Sequence, residues 1–357
     1  MANFNINVAR FCVAGQPADS AGATCRERKE RESLVTTGSL LVGDTRRPAR
    51  DWPLAVGLIG GAVADAILGD PESGHPVALF GQLMNALEQR VYADRAAPGI
   101  GYAAGGLLLG AGPLLVAAHL TRGSRTGRAA ITAATAWTVV ASRSLCVAAR
   151  HVGTALSAGD LAQARDALPS LCGRDPQGLD PAQIARAVVE SVAENTSDAI
   201  VAPLIWGALA GPAGLSGYRA VNTLDAMIGH HSPKYEHFGM PSARLDDVAN
   251  WIPARVTAVL AAACSPAVSG RPGITWQTAR DYGPRHPSPN AGWCEAAFAG
   301  ALGVRLGGLL SYSGRTEHRP EIGTGRLPQT SDISRAIRLS RAVTLSATAL
   351  AAALAIA

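Results

Sequence analysis

The chain has 357 residues, of which 48% are hydrophobic and 17% charged, and its mean hydropathy of +0.14 is positive. This composition is apolar for a soluble enzyme and predicts a membrane protein. The net charge of +5 comes from scattered arginines without an interleaved aromatic patch, which argues against a nucleic acid as partner. The six cysteines include no C-x-x-C pair and no histidine spacing suited to zinc, so they are expected to be free thiols.

Residues 1–51 are of mixed polarity and include the charged run RERKERE. They predict a disordered N-terminal extension without a chemical role. Residues 52–357 contain a succession of apolar segments, which predict a single helical membrane domain that carries the active site. The predicted fold class is therefore all-α, a polytopic integral membrane protein with several transmembrane or re-entrant helices and polar helical loops. The expected location is the cell membrane, which the chain crosses several times.

The first apolar segment covers residues 53–71 and is interrupted by Asp65. An acidic residue inside a membrane segment is a candidate functional residue, but the helix could also enter the membrane only partly and keep Asp65 at its edge. A second helix is predicted to begin near Pro76, after a turn that contains His75. Because His75 lies where a membrane helix ends, it is a candidate functional residue as well as a candidate structural one.

Two further apolar segments cover residues 102–120 and 129–149. The loop between them carries three arginines, which the positive-inside rule assigns to the cytoplasm. Arg143 lies inside the second segment and could either extend its charge to the membrane surface or pair with an acid such as Asp65. The apolar tail at residues 342–357 is short for a full span.

A helix is predicted to start at Asp180 and Pro181, which suit the N-cap and the first helical position. Along it, Glu190, Glu194 and Asp198 are spaced i, i+4 and i+8, so their carboxylates share one face. Like charges at this spacing repel one another, and the apolar segment that follows makes an unbalanced acidic face unfavourable. A hard cation such as Mg²⁺, which prefers oxygen ligands, would balance them; the alternative is a face exposed to solvent.

A second group of acids lies between residues 218 and 255. Asp225 follows Asn222 by three positions, and Asp246 is followed directly by Asp247. If these residues face the first acidic helix, they could hold one or two Mg²⁺ ions with nucleotide phosphates between them. The predicted metal ligands are Glu190, Glu194, Asp198, Asp225 and Asp246. The predicted residues for binding phosphate or substrate in this region are Arg219, Lys234, Arg244 and Asn222.

The proline-rich stretch DYGPRHPSPNAG, residues 281–292, predicts a restricted loop. His286, Ser288 and Asn290 could line a pocket there, the last two as substrate-binding residues. A rigid surface turn would account for the same spacing. Residues 293–308 are rich in small side chains and predict a helix suited to close packing.

Several motifs occur in a fixed order: ESVAENTSD, YRAVNTLDAM, ARLDDVANWIPAR, RHPSPNAG and AAFAGALGVRLGG, with GDP and HPV near residues 69–77. In these motifs the chain resembles the cobalamin-biosynthesis membrane protein family, the adenosylcobinamide-phosphate synthases. The resemblance extends from about Leu54 to the C-terminus. Because it rests on several motifs, it is more specific than any single acidic patch.

The resemblance implies an ATP-dependent ligation that joins a propionate side chain of adenosylcobyric acid to (R)-1-amino-2-propanol or its phosphate. ATP with Mg²⁺ would convert the carboxylate, a poor electrophile, into an acyl phosphate that the amine attacks. The candidate catalytic residues are His286, His75 and Asp247, with either histidine as the base. The expected partners are the corrinoid, the aminopropanol or its phosphate, ATP and the lipid bilayer, with other cobalamin-pathway enzymes as further candidates. The sequence contains no G-x-x-x-x-G-K-[ST] motif, so nucleotide binding follows from the resemblance and the acidic residues alone.

Two other functions remain open on the sequence. A membrane Mg²⁺-dependent prenyl-type diphosphate transferase would also need two acidic helix faces, and a corrinoid-binding carrier or transporter would bind its ligand without ATP turnover. The topology is open too, because an inside position for the basic loop places the acidic helix outside unless one apolar segment is re-entrant or does not span.

Overall fold

A computed structural model describes residues 51–71, 74–230, 232–312 and 315–357. The predicted disordered extension lies outside these ranges apart from Asp51. In the described part of the chain the helices are α1 (Trp52–Leu68), α2 (Pro76–Val91), α3 (Ala96–Thr121), α4 (Arg125–Val139), α5 (Ser142–Ser157), α6 (Leu161–Ala167), α7 (Pro181–Thr196), α8 (Ala202–Leu224), α9 (Met240–Cys264), α10 (Pro272–Tyr282), α11 (Ala291–Leu302) and α12 (Thr330–Ile356).

Helices dominate, so the all-α class is confirmed. Two π-helical turns, Ser197–Val201 and Asp225–Gly229, follow α7 and α8. One antiparallel hairpin of β1 (Leu306–Tyr312) and β2 (Arg315–Ile322) was not indicated by the sequence. It takes the place of the end of the small-residue helix predicted over residues 293–308, because Gly303 adopts a positive φ of 67° and ends α11.

Five helical segments of the described chain are long and apolar enough to cross a membrane, which confirms a polytopic membrane protein. They are Ala96–Thr121, Arg125–Ser157, Pro181–Gly229, Met240–Val268 and Thr330–Ile356, and α1 is a shorter apolar helix. The C-terminal span differs from the prediction of a short tail. Because the polar residues before position 342 belong to the same helix, α12 has 27 residues.

The segment that contains α7 and α8 folds back on itself. Its backbone leaves the helical region at Ala210 (φ −134°) and Gly211 (φ 63°). Leu215 then packs on Gly207, where an added Cβ would lie 2.8 Å from Leu215 Cγ. Positions eight apart are about 12 Å apart along a straight helix, so the chain turns here. Ala202 also shares a buried cluster with Tyr218 and Val221, so residues farther before the turn meet residues farther after it and the two halves of α8 run antiparallel. We call them the arms of the re-entrant hairpin, residues 202–209 and 212–224.

Helix packing depends on small residues, as expected in a membrane protein. α1 and α4 approach so closely that a Cβ added at Gly61 would overlap Ala136. The central core lies where α5, α7, α11 and α12 meet, and its fully buried side chains include Leu145, Val188, Phe298 and Leu339. This core fixes α7 and α11 relative to each other, which places the acids that they carry.

Candidate active site

The acidic helix begins where the sequence predicts. Asp180 accepts a hydrogen bond from the Gln183 N–H at 2.8 Å, and the Gln183 side chain accepts one from the Asp180 N–H at 2.8 Å. With Pro181 in the first turn, this capping box starts α7. The helix then changes to a π-helical turn at Ser197, just before Asp198. Such turns interrupt α-helices mostly at functional sites.

The re-entrant hairpin brings two acids together. Asp198 and Asp225 are 27 positions apart, about 40 Å along a straight helix, yet the negative charge of Asp225 acts on Asp198. Asp225 also begins a π-helical turn, at the end of the second arm. The negative charges of Asp246 on α9 and of Glu194 on α7 also act on Asp198. The charge of Asp247 acts on Asp225. The structure therefore gathers these five carboxylates, which we call the carboxylate group.

Amide side chains hold Asp246 in place. Its two oxygens accept hydrogen bonds from Asn250 Nδ2 at 2.9 Å and from Asn222 Nδ2 at 3.4 Å. Tyr218 in turn donates its hydroxyl to Asn250 Oδ1 at 2.8 Å. Asn222, predicted to bind substrate or phosphate, thus orients a carboxylate instead.

Arg219 is the predicted phosphate-binding residue that the structure does bring to the carboxylate group. Its guanidinium is buried and interacts with the charges of Asp198 and Asp70. Asp70 also accepts a hydrogen bond from the Ser144 hydroxyl. Arg219 is one of several cations near the group, because the charges of Arg174 and Arg319 act on Glu194 and that of Arg244 acts on Asp247.

His75 lies beside this arginine. It is buried at the N-terminus of α2, where its Nδ1 accepts a hydrogen bond from the Val77 N–H at 3.2 Å. Burial lowers the pKa of His75. The negative charge of Asp70 raises this pKa, and the positive charge of Arg219 lowers it further. In the neutral ring the proton therefore lies on Nε2, and the role of His75 as a base stays a prediction.

Glu190 occupies a different place from its neighbours on α7. Its buried carboxylate forms an ion pair with Arg174 and accepts a hydrogen bond from the Gly307 N–H at 2.7 Å. Both oxygens are engaged, so Glu190 anchors the segment before α7 to the β-hairpin, and its role as a metal ligand stays a prediction. No pattern in the sequence indicated a role for Arg174.

A second ionisable group consists of His286, Glu295 and Arg319, and we call it the histidine group. His286 is buried, and its Nδ1 accepts a hydrogen bond from the Ser288 N–H at 3.0 Å. Its Nε2 lies 3.5 Å from Arg319 Nη1 and 3.9 Å from Glu295 Oε1. The charge of Arg319 also acts on Glu194, so Glu194 connects the histidine group to the carboxylate group.

Glu295 was missed by the sequence reasoning, although a lone acid in the apolar helix AGWCEAAFAGAL was a signal for it. Its side chain is buried on α11. Burial raises the pKa of Glu295, and the nearby charges of Glu190 and Glu194 raise it further. Arg174 and Arg319 oppose this rise. Glu295 is therefore a candidate proton carrier beside His286.

The loop before α11 buries His286 and Asn290, while its Pro284, Pro287 and Pro289 are exposed. Ser288 Oγ accepts hydrogen bonds from the N–H groups of Asn290 and Ala291, at 3.3 and 3.2 Å. Asn290 Nδ2 donates to the Asp247 carbonyl at 2.8 Å. These two residues were predicted to bind substrate, and their observed contacts fix the loop against α9.

Two predicted phosphate-binding residues lie away from the carboxylate group or at its edge. Lys234 pairs with Glu88 at 2.7 Å and with the Tyr235 hydroxyl at 3.0 Å. Burial lowers the pKa of Lys234, but these hydrogen bonds outweigh it, so that the pKa is raised. Arg244 is exposed and acts on the site only through its charge near Asp247.

The donors fit Mg²⁺ with phosphates better than a metal held by protein alone. In the part of the chain that the structure describes, no three Asp, Glu, His or Cys side chains form a ready-made metal group. Mg²⁺ is usually bound by one or two carboxylates, with waters and substrate phosphates completing its six ligands. Asp198, Asp225 and Asp246 supply carboxylates of this kind, and their mutual repulsion would fall when a cation binds.

Together the fold and the site define a polytopic helical membrane protein with carboxylates gathered at the open end of a re-entrant hairpin. A family model described as CobD/Cbib protein matches residues 58–340, and the chain belongs to this family. No solved structure matches the chain significantly.

Curated relatives cover most of the chain. Cobalamin biosynthesis protein CobD of Mycobacterium tuberculosis strain H37Rv is 48% identical over 297 residues, 83% of this chain and 94% of the relative. The protein of the same name from Chromobacterium violaceum is 41% identical over 284 residues, 77% of this chain and 88% of the relative. The protein of the same name from Geobacter metallireducens is 40% identical over 277 residues, which are 72% of this chain and 83% of the relative.

Proposed function

We propose that this chain is an enzyme of cobalamin biosynthesis in the cell membrane that joins adenosylcobyric acid to (R)-1-amino-2-propanol or its phosphate at the expense of ATP. The family and the names of its relatives support a role in cobalamin biosynthesis. The observation that supports the ATP-dependent step is the gathering of Asp198, Asp225 and Asp246 from separate segments, with buried Arg219 beside Asp198. A phosphate-bearing substrate with Mg²⁺ would balance these charges.

The reaction needs two bond exchanges. A carboxylate oxygen of the corrinoid attacks the terminal phosphorus of ATP, so an O–P bond forms and the bond to ADP breaks. The amine nitrogen then attacks the acyl carbon, the C–O bond breaks and inorganic phosphate leaves. The nitrogen must lose a proton during this step, so the site needs a group that accepts it.

Each cluster has a proposed part in this chemistry. Asp198, Asp225 and Asp246 would hold Mg²⁺, which when bound neutralises phosphate charge. Arg219 binds phosphate oxygens beside them. His286 and Glu295 handle the proton of the amine, because the two side chains are buried and 3.9 Å apart. Glu194 lies between the groups and orients the acyl end of the corrinoid.

Purified full-length protein in lipid nanodiscs tests the proposal. With cobyric acid, aminopropanol or its phosphate, ATP and Mg²⁺, we expect equal amounts of ADP and amide product by mass spectrometry. Asp246→Asn, Glu194→Gln and Asp247→Asn should lower turnover at least a hundredfold in folded protein, whereas exposed Asp281→Asn should not change it. Corrinoid binding without ADP formation would instead indicate a carrier, and consumption of prenyl diphosphate a transferase. Complementation of a strain blocked between cobyric acid and cobinamide gives an independent readout.

A further inference from the structure

A cavity of about 380 Å³ lies at the closed end of the re-entrant hairpin, away from the carboxylate group. The hairpin turn, α1, the end of α3 and the start of α4 form its walls. The lining residues that matter here are Arg122, Arg128, Thr132, Leu209 and Gly211. None of them belongs to the site described above, so the cavity needs an explanation of its own.

The hairpin turn gives this cavity a polar floor. Ala210 and Gly211 are not helical, and Pro212 has no N–H to continue the helix. Within a segment apolar enough to cross a membrane, irregular backbone is stable only where protein or a polar cavity satisfies its hydrogen bonds. Because Ala210, Gly211 and Pro212 line the cavity, the backbone of the turn can contact a polar headgroup there.

The charges of the cavity favour an anion. Arg128 forms an ion pair with Asp51, which cancels one positive charge. Arg122 is exposed and forms no ion pair with any residue that the structure describes. One net positive charge thus remains at the rim, where a guanidinium can bind phosphate oxygens in a bidentate manner.

The apolar part of the cavity continues into a surface that faces lipid. Leu209 lines it and is 64% exposed, and Leu115, three positions before lining residue Ala118 on the same face of α3, is 59% exposed. Large apolar side chains with this exposure in candidate membrane spans contact acyl chains. A soluble anion would gain nothing from this surface, whereas a lipid would use both parts of the cavity.

We propose that this cavity binds an anionic phospholipid, with its phosphate at Arg122 and Arg128 and an acyl chain along Leu209 and α3. The headgroup fills the polar space below the hairpin turn. Bound lipid then supports the turn that sets the hairpin arms, and so it stabilises the fold around the carboxylate group from a distance.

The test uses full-length protein that is purified in detergent. The protein is then returned to nanodiscs of phosphatidylglycerol or of phosphatidylcholine. Native mass spectrometry should show phosphatidylglycerol retained selectively, and Arg122→Gln should lower its retention about fivefold, which corresponds to about 1 kcal/mol per arginine near an anionic surface. Arg125→Gln is the matched control, since Arg125 is exposed at the start of α4 but does not line the cavity. Phosphatidylglycerol should also raise the thermal midpoint of the wild type more than that of Arg122→Gln.

Four results would overturn the proposal. Equal retention of the two lipids, or equal losses in Arg122→Gln and Arg125→Gln, would mean nonspecific charge attraction. Displacement of the lipid by millimolar inorganic phosphate would show that the cavity takes a soluble anion. Displacement by ATP but not by phosphate would assign the cavity to nucleotide.

Discussion

Asp65 and Arg143 cap each other's helices. Asp65 Oδ2, on α1, accepts hydrogen bonds from the Ser142 and Arg143 N–H groups at 3.1 and 3.2 Å, at the start of α5. Arg143 Nη1 donates to the carbonyls of Ala66 and Ile67 at 3.0 and 2.9 Å, at the end of α1. The first N–H groups and last carbonyls of a helix have no partner within it, so this exchange satisfies both ends where water is scarce. This contact gives Asp65 a structural role.

Asp65→Ala should therefore lower the stability of the fold and leave the catalytic rate unchanged. It leaves two N–H groups without an acceptor, which costs about 1–3 kcal/mol each when buried. Asp65→Asn keeps an acceptor oxygen and should lose less. Thermal unfolding in detergent measures the loss, and activity per folded molecule should stay near that of the wild type. Normal stability with abolished turnover would show that Asp65 acts in the reaction.

The buried pair of Glu190 and Arg174 should be sensitive to loss of either partner. Glu190→Gln leaves the Arg174 charge buried without its carboxylate, and we expect a loss of about 3–5 kcal/mol in the free energy of unfolding. Glu321→Gln is the control, because the Arg305–Glu321 pair at 3.1 Å has side chains 39% and 53% exposed and is worth about 0–1 kcal/mol. Chemical denaturation of both variants makes the comparison. Similar losses in the two would contradict the anchoring role.

The re-entrant hairpin should depend on Gly211. Its φ of 63° and ψ of −152° lie in a region that almost only glycine adopts, so Gly211→Ala should cost about 1–3 kcal/mol. Gly112→Ala is the matched control, because an added Cβ there meets nothing within 4 Å and alanine favours a helix. We expect Gly112→Ala to keep or raise the thermal midpoint. A Gly211→Ala variant as stable as the wild type would argue against this turn geometry.

Glu295 should make stability depend on pH. Burial is the main reason that its pKa is raised above the ordinary 4.5, so the folded chain keeps a proton that the unfolded chain releases. Stability from this group is therefore complete at acidic pH below the ordinary pKa, and it falls as the pH rises toward the folded pKa. Glu295→Gln removes this loss, so between about pH 5 and pH 8 its stability should fall less than that of the wild type.

The measurement is the free energy of unfolding of Glu295→Gln and of exposed Asp281→Asn across this pH range. Asp281→Asn should follow the wild-type curve. Parallel curves for Glu295→Gln and the wild type would show that Glu295 is ionised in the folded protein, and the proton-carrier role would lose its support.

Much of the local structure could be predicted because local chemistry sets it. Asp180 and Pro181 start α7 as expected, since a cap and a proline act on the nearest backbone groups alone. His75 and Pro76 start α2 for the same reason. The polytopic class also followed from composition, because apolar segments of this length are stable mainly in lipid.

The partners of the charged residues could not be predicted in the same way. Glu190, Glu194 and Asp198 look equivalent by spacing, but Glu190 meets Arg174 and Gly307, while the other two join the carboxylate group. Ser288 looked like a substrate ligand, and its hydroxyl holds the loop instead. These outcomes depend on neighbours that are distant in the sequence.

The sequence by itself determined the class of protein, the starts of its main helices, its family and the types of side chain available for chemistry. Only the tertiary structure decided which of these side chains meet. Asp198 and Asp225 approach each other because the chain reverses at Gly211 and the small residue Gly207 lets the two arms pack closely. Spacing along one helix reports on a single face, and it carries no information about a reversal that depends on packing between helices.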